Sequence, residues 1–151
     1  MSHPDGSLMR PRTAKGFTLL ELMVVLAIVG VLYAVVSPRY QQFVLRSHRA
    51  EGQALLVDAA ARQARYHAQN HQYVTQQADV GHLQLPRTSG SEVTSPSGVY
   101  RLDIGSGDGG YLLQAVPLGT QQADSLCASL LLDGTGNHGS TGTGAVSECW
   151  K

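Results

Sequence analysis

From Phe17 to Val36 the chain reads FTLLELMVVLAIVGVLYAVV, apolar at almost every position except Thr18 and Glu21. A helix on the surface of a small domain shows one apolar stripe, whereas this run is apolar on every face. Twenty residues at about 1.5 Å each cover roughly 30 Å, the hydrocarbon thickness of a bilayer. The pattern therefore predicts a membrane-crossing helix over 17–37, and it changes at Ser37 and Pro38.

Beyond the proline, RYQQFVLRSHRAEGQALLVDAAARQARYHAQNHQY reads as a continued helix over 38–70. Ala50, Ala54, Val57, Ala61, Ala64 and Ala68 recur at three- and four-residue steps, with Leu56 and Ala60 on the flank. Glu51, Asp58, Arg62 and Arg65 lie across the helix, and Asp58 precedes Arg62 by four residues in the favourable order. A stripe of alanines predicts a partner that comes close, and a flat sheet suits it. Tyr100, Leu102 and Ile104 alternate with Arg101 and Asp103; after GSGDGG a second run, Tyr111 to Val116, completes a hairpin. A third strand covers Leu130 to Leu132. Residues 71–98 connect helix to sheet, and Val80 to Gly98, with two prolines, reads as a variable loop. The expected fold is α+β: a long N-terminal helix kinked near Pro38, its second half packed on a small antiparallel sheet over 99–132.

At 151 residues the chain has room for one domain behind its anchor. Arg10, Arg12 and Lys15 precede the span with only Asp5 opposing, which leaves the N-terminus in the cytoplasm and the head of 38–151 outside. A secretory signal peptide begins in the same way but places small residues and its cleavage site after the apolar run. Here Ala34 to Ser37 would have to serve, while the small residue at a change of character is Gly16, before the run.

Lys15, Gly16, Phe17, Thr18, Leu19 and Glu21, followed by the long apolar segment, resemble the class III signal of type IV pilins and pseudopilins. The resemblance implies that a prepilin peptidase removes a leader of 1–16, cutting between Gly16 and Phe17, and that Phe17 is then N-methylated. It implies other pilins and an inner-membrane assembly platform as partners, an inner-membrane precursor and an extracellular fibre. A carboxylate at membrane depth costs about 2.5–3.5 kcal/mol even on the lower scales, so Glu21 requires a use. Cleavage creates an amine on Phe17 one turn away, and a Glu21 pair with that amine, in the same chain or a neighbour, would fix register in a packed bundle. Gly30 and Pro38 weaken the helix; in the family the helix loosens between such residues.

Cys127 and Cys149 both fall in the exported head, which favours a disulfide closing a loop of about twenty residues, worth on the order of 3 kcal/mol. Within 127–149, DGTGNHGSTGTG reads as too glycine-rich for a stable strand. A closing C-terminal disulfide also resembles the type IV pilin head. HRAEGQALLVDAAARQARYHAQNHQY, with Cys149-Trp150-Lys151, is similar to the PilE type of minor pilin. The implied function is a structural minor subunit of a type IV pilus serving assembly, motility or adhesion; the alternatives are a type II secretion pseudopilin and a DNA-uptake pilin.

No enzymatic pattern competes. GTGNHGST has phosphate-loop spacing but carries Ser140 where lysine is required. His67 and His71 are four apart without a third ligand, so the sequence points to no metal and no cofactor. Removing Arg10, Arg12, Lys15 and Asp5 from eleven basic and eleven acidic residues leaves eight and ten in the mature chain. That slightly acidic balance argues against nucleic-acid binding, and Arg39, Arg46 and Arg49 are expected to lie near the anchor under a neighbouring subunit.

Overall fold

The computed structural model describes residues 16–150, apart from the side chains of 37–39. Residues 1–15, which hold all of the expected leader but Gly16, together with Lys151 and the side chains of 37–39, thus lie outside the described residues. Two compact units divide between Arg39 and Tyr40. Helix α1, Leu19–Asn70, contributes to both, and its helical backbone continues through Pro38. Thr18 sets its start, because the Thr18 hydroxyl accepts the Glu21 amide at 3.2 Å. This is the first half of a capping box, in the sequence T-x-x-E. His71, at φ +56, ends the helix in the left-handed region.

The second unit carries a four-stranded antiparallel sheet in the order β3-β4-β5-β6, formed by Tyr100–Gly105, Leu112–Pro117, Leu130–Asp133 and His138–Ser140. Tyr100 pairs with Pro117, and Leu113 with both Ile104 and Leu132, so the anticipated hairpin and third strand are present. Alternate residues of β3 face the core, where Leu102 and Tyr100 are fully buried with Leu113, Ala115 and Leu130. Cys127 and Cys149 are bonded, with Cα atoms 5.6 Å apart.

Three expectations require correction. The buried face of α1 is not the alanine stripe: Arg49, Gly52, Leu56, Ala59 and Gln63 face the sheet, while Ala50, Ala54, Val57, Ala61, Ala64 and Ala68 are exposed. Gly52 explains the choice of face, since a Cβ there would sit 3.1 Å from the Tyr100 ring and 3.2 Å from Leu130. Close approach thus occurs at a glycine next to leucines, and the two polar members find partners. Gln63 donates to the Val74 carbonyl at 2.6 Å and accepts the Val74 amide at 2.9 Å, tying the returning chain to the helix.

The second correction concerns Val80 to Gly98, which is ordered structure and not a featureless loop. A 3-10 segment, Gln77–Leu83, buries Val80 and Leu83, and a short hairpin of β1, Thr88–Ser89, and β2, Glu92–Val93, buries Val93. Gln77 stitches it to the sheet by accepting the Ile104 amide at 2.8 Å and donating to the Leu102 carbonyl at 3.0 Å.

Thirdly, the glycine-rich loop does contain a strand, because β6 pairs with β5 through Leu130 and Ser140, and Leu132 and His138. Asp133 makes the connecting turn by accepting the amides of Thr135 at 2.9 Å and Asn137 at 3.0 Å. Gly139 leaves room for Leu131 on the paired strand, whose Cβ would meet an added methyl at 3.2 Å. The loop closes with a single-turn helix α2, Val146–Cys149.

Candidate assembly interface

Counting back from Ala68 along α1 in steps of four and three gives Ala64, Ala61, Val57, Ala54, Ala50, Ser47, Phe43, Tyr40, Val36, Tyr33, Val29, Leu26, Leu22 and Leu19. Every one of these positions is exposed, and all but Ser47 are apolar or aromatic. Within each unit taken by itself, a seven-residue repeat of this kind is the pattern along which helices pack on one another. In the head unit the seam is independent of the sheet-facing side, since Gly52, Leu56, Ala59 and Gln63 are buried while their seam neighbours are not.

The two halves of the seam differ in bulk. Leucines, valines and aromatics fill it up to Phe43, and from Ala50 onward it is alanine apart from Val57. An 18-residue window of α1 has mean hydropathy 2.7 with none of it buried, long and apolar enough to cross a membrane. Phe17 and Glu21 are also exposed, and Gly16 has no atom within 4 Å of where a Cβ would stand. Gly30 is likewise unobstructed within the helix. The Thr18 cap has its own signal in T-x-x-E, a helix-start pattern independent of any resemblance.

Arg49, expected under a neighbouring subunit, is instead inside its own head. Its Nε and Nη2 donate to Asp124 at 2.6 and 2.7 Å, with the two side chains 5% and 1% exposed. The hydrogen bond to Asp124 raises the Arg49 pKa above its ordinary value against the opposing effect of burial. Gln121 extends the network: it donates to the Tyr100 hydroxyl at 3.0 Å and accepts from His48 Nδ1 at 3.0 Å. Burial pushes the Tyr100 phenol up to about 12, so it stays neutral. Nothing in the sequence pattern marked this network, because Arg49 and Asp124 are 75 residues apart.

His67 stacks on Tyr73 with ring centroids 4.2 Å apart, and the described residues contain no cluster of three or more metal-ligating side chains. The phosphate-loop look-alike is the β5–β6 turn and strand.

Comparison with known proteins covers both units. A family model described as "Type IV minor pilin ComP, DNA uptake sequence receptor" matches residues 38–131, and one described as "Prokaryotic N-terminal methylation motif" matches 11–37. The fimbrial protein EcpC of Eikenella corrodens is 51% identical over 43 residues, 28% of each chain. The type IV major fimbrial protein FimA of Dichelobacter nodosus is 54% identical over 41 residues, 27% of this chain and 26% of the relative. The chain therefore spans about a quarter of the length of these two relatives. The type IV wide pilus major component PilA4 of Thermus thermophilus is 34% identical over 110 residues, 70% of this chain and 84% of the relative.

Proposed function

The chain belongs to the type IV pilin family, and on that premise we propose that it is a structural minor subunit of a type IV pilus. It waits in the inner membrane with its head outside the cytoplasm and then packs into the fibre. The observation that carries this reading is the exposed seam. Apolar surface on this scale, left open by the chain's own sheet, marks an interaction surface. A staggered neighbour can set its bulky proximal half against the alanine half, where small side chains let helix backbones approach closely.

In this reading prepilin peptidase cuts between Gly16 and Phe17 and Phe17 is methylated. The new ammonium arises at the positive end of the α1 dipole, where it is unfavourable, and Glu21 in the first turn supplies the compensating carboxylate. Gly30 and Pro38 provide the weak points at which the helix loosens in the fibre. Major and minor pilins and the assembly platform are the partners.

Mass spectrometry of the protein from cells is expected to give a chain beginning at methylated Phe17; Met1, or a cut beyond Val36, would remove the reading. Gly16→Glu is expected to leave the precursor uncut. Glu21→Ala is expected to be cut normally yet to be missing from sheared fibres, and normal incorporation would refute the pairing role.

A DNA-uptake pilin is the second reading, favoured by the description of the family model over 38–131. Arg49, Arg62 and Arg101 are committed to Asp124, Asp58 and Asp103. Arg46, Arg65 and Arg87 are exposed and form no ion pair among the described residues. This reading predicts retention of duplex DNA in a gel shift, falling as salt rises, with each phosphate-contacting arginine replaced by alanine lowering the log-log salt slope by about one. No retention at low salt would remove it and leave the structural reading standing.

A further inference from the structure

Two aromatic side chains stand exposed at the foot of the head, Tyr40 at 66% and Phe43 at 69%. They are three residues apart on α1 and belong to the seam, on the side away from Gly52 and Leu56. Tyr40 follows Val36, the last residue of the apolar run, by a single helical turn. Arg46 comes next, exposed and without an ion pair among the described residues, whereas the following arginine, Arg49, is withdrawn into the head by Asp124.

We propose that Tyr40, Phe43 and Arg46 form a seat for the bilayer surface, in which the two rings lie at the boundary of acyl chains and headgroups and the guanidinium meets anionic phospholipid phosphate. The proposal rests on the membrane-anchored reading of the span. Continuity argues for lipid as the occupant. Tyrosine with an apolar body and a polar tip is enriched where hydrocarbon gives way to water, and arginine just beyond it extends its charge to the phosphates. The order along the helix is apolar run, aromatic pair, cation, as that gradient requires. Further along the same seam the residues are alanines apart from Ser47 and Val57, and none of them is an aromatic that prefers the interface.

The function of such a seat is to hold the head at a fixed height above the membrane and to cover the proximal seam until a neighbouring subunit replaces the lipid. The seat and the fibre contact then compete for the same residues, so entry into the fibre includes release from the membrane surface.

The test places single tryptophans in the full chain, reconstituted alone in nanodiscs of mixed zwitterionic and anionic phospholipid, with the parent protein and its native Trp150 as background. Phe43→Trp is expected to emit at short wavelength and to lose most of its emission to lipids brominated near the headgroup end of the acyl chain. Arg46→Glu in the same background is expected to diminish both effects when the lipid is anionic. Ala64→Trp, on the same seam in the alanine half, is expected to emit as in water and to resist quenching. Water-like, unquenched emission from Phe43→Trp would overturn the proposal, as would equal quenching of Ala64→Trp. Ile28→Trp separates the two readings. If it is quenched by deeply brominated lipid while Phe43→Trp is not, the anchor stands and the seat falls; if it is not quenched either, the anchored reading itself fails.

Discussion

Asp124→Leu is expected to cost the head about 3–5 kcal/mol, the usual consequence of stripping the partner from a buried charge. Arg49 would remain inside with its guanidinium unpaired, since its contacts at 2.6 and 2.7 Å are both to this carboxylate. The same carboxylate accepts the Cys127 amide and the Gln121 side chain, each at 3.3 Å. Gln121 in turn reaches the Leu45 carbonyl at 3.2 Å. One substitution thus loosens α1, β3 and the start of the disulfide loop together. For a domain of this size a loss of several kcal/mol lowers the melting temperature by on the order of 15 °C, read by near-ultraviolet dichroism of the full chain in detergent. Replacing both partners, Arg49→Met with Asp124→Leu, is expected to recover most of that loss, because matched apolar residues can substitute for a buried pair. A double variant as unstable as the single one would mean that the network's value lies in Gln121 and the Cys127 amide.

Every buried side-chain nitrogen and oxygen among the described residues has a partner, and those of Arg49 at Asp124 and of Gln121 at Leu45 lie 75 and 76 residues away along the chain. The apolar span and the N-terminal methylation motif were legible because their signal is local: a run of apolar residues, and a glycine, phenylalanine and acid at short spacing. The hairpin and third strand were legible from alternation, and the disulfide from two cysteines in a segment expected to lie outside the cytoplasm. The alanine stripe was found correctly as a stripe and assigned to the wrong side. The true inner face contains Gly52, Arg49 and Gln63, so it scores as less apolar than the outer one. What qualifies those residues for burial lies far along the chain, in Tyr100, Asp124 and Val74. Strand β6 was hidden for a related reason: Gly139, one of the glycines that make it look unstructured, admits Leu131 from the neighbouring strand.

That misassignment leads to the sharpest expectation about the fibre. Ala61 sits near the middle of the alanine half of the seam, exposed and away from the sheet. Ala61→Glu keeps a good helix former and touches nothing in the head, so its effect on head stability is expected to stay within about 0.5 kcal/mol. In a fibre packed along the seam the same carboxylate would be pressed into a neighbouring helix without a partner. A charge buried in that way costs about 3 kcal/mol or more, which moves an assembly equilibrium by on the order of 100-fold. Ala61→Glu is therefore expected to be cut and to accumulate in the membrane as the parent protein does, yet to vanish from the sheared-fibre fraction. Gln122→Glu, the same charge at an exposed position off the helix, is expected to enter fibres normally. Were Ala61→Glu recovered from fibres at the parent level, the alanine half would face solvent in the polymer, and contacts between heads would have to carry assembly instead. Ala61→Ser adds only a hydroxyl and is expected to fall between the two, so the series reads desolvation of the seam and not volume alone.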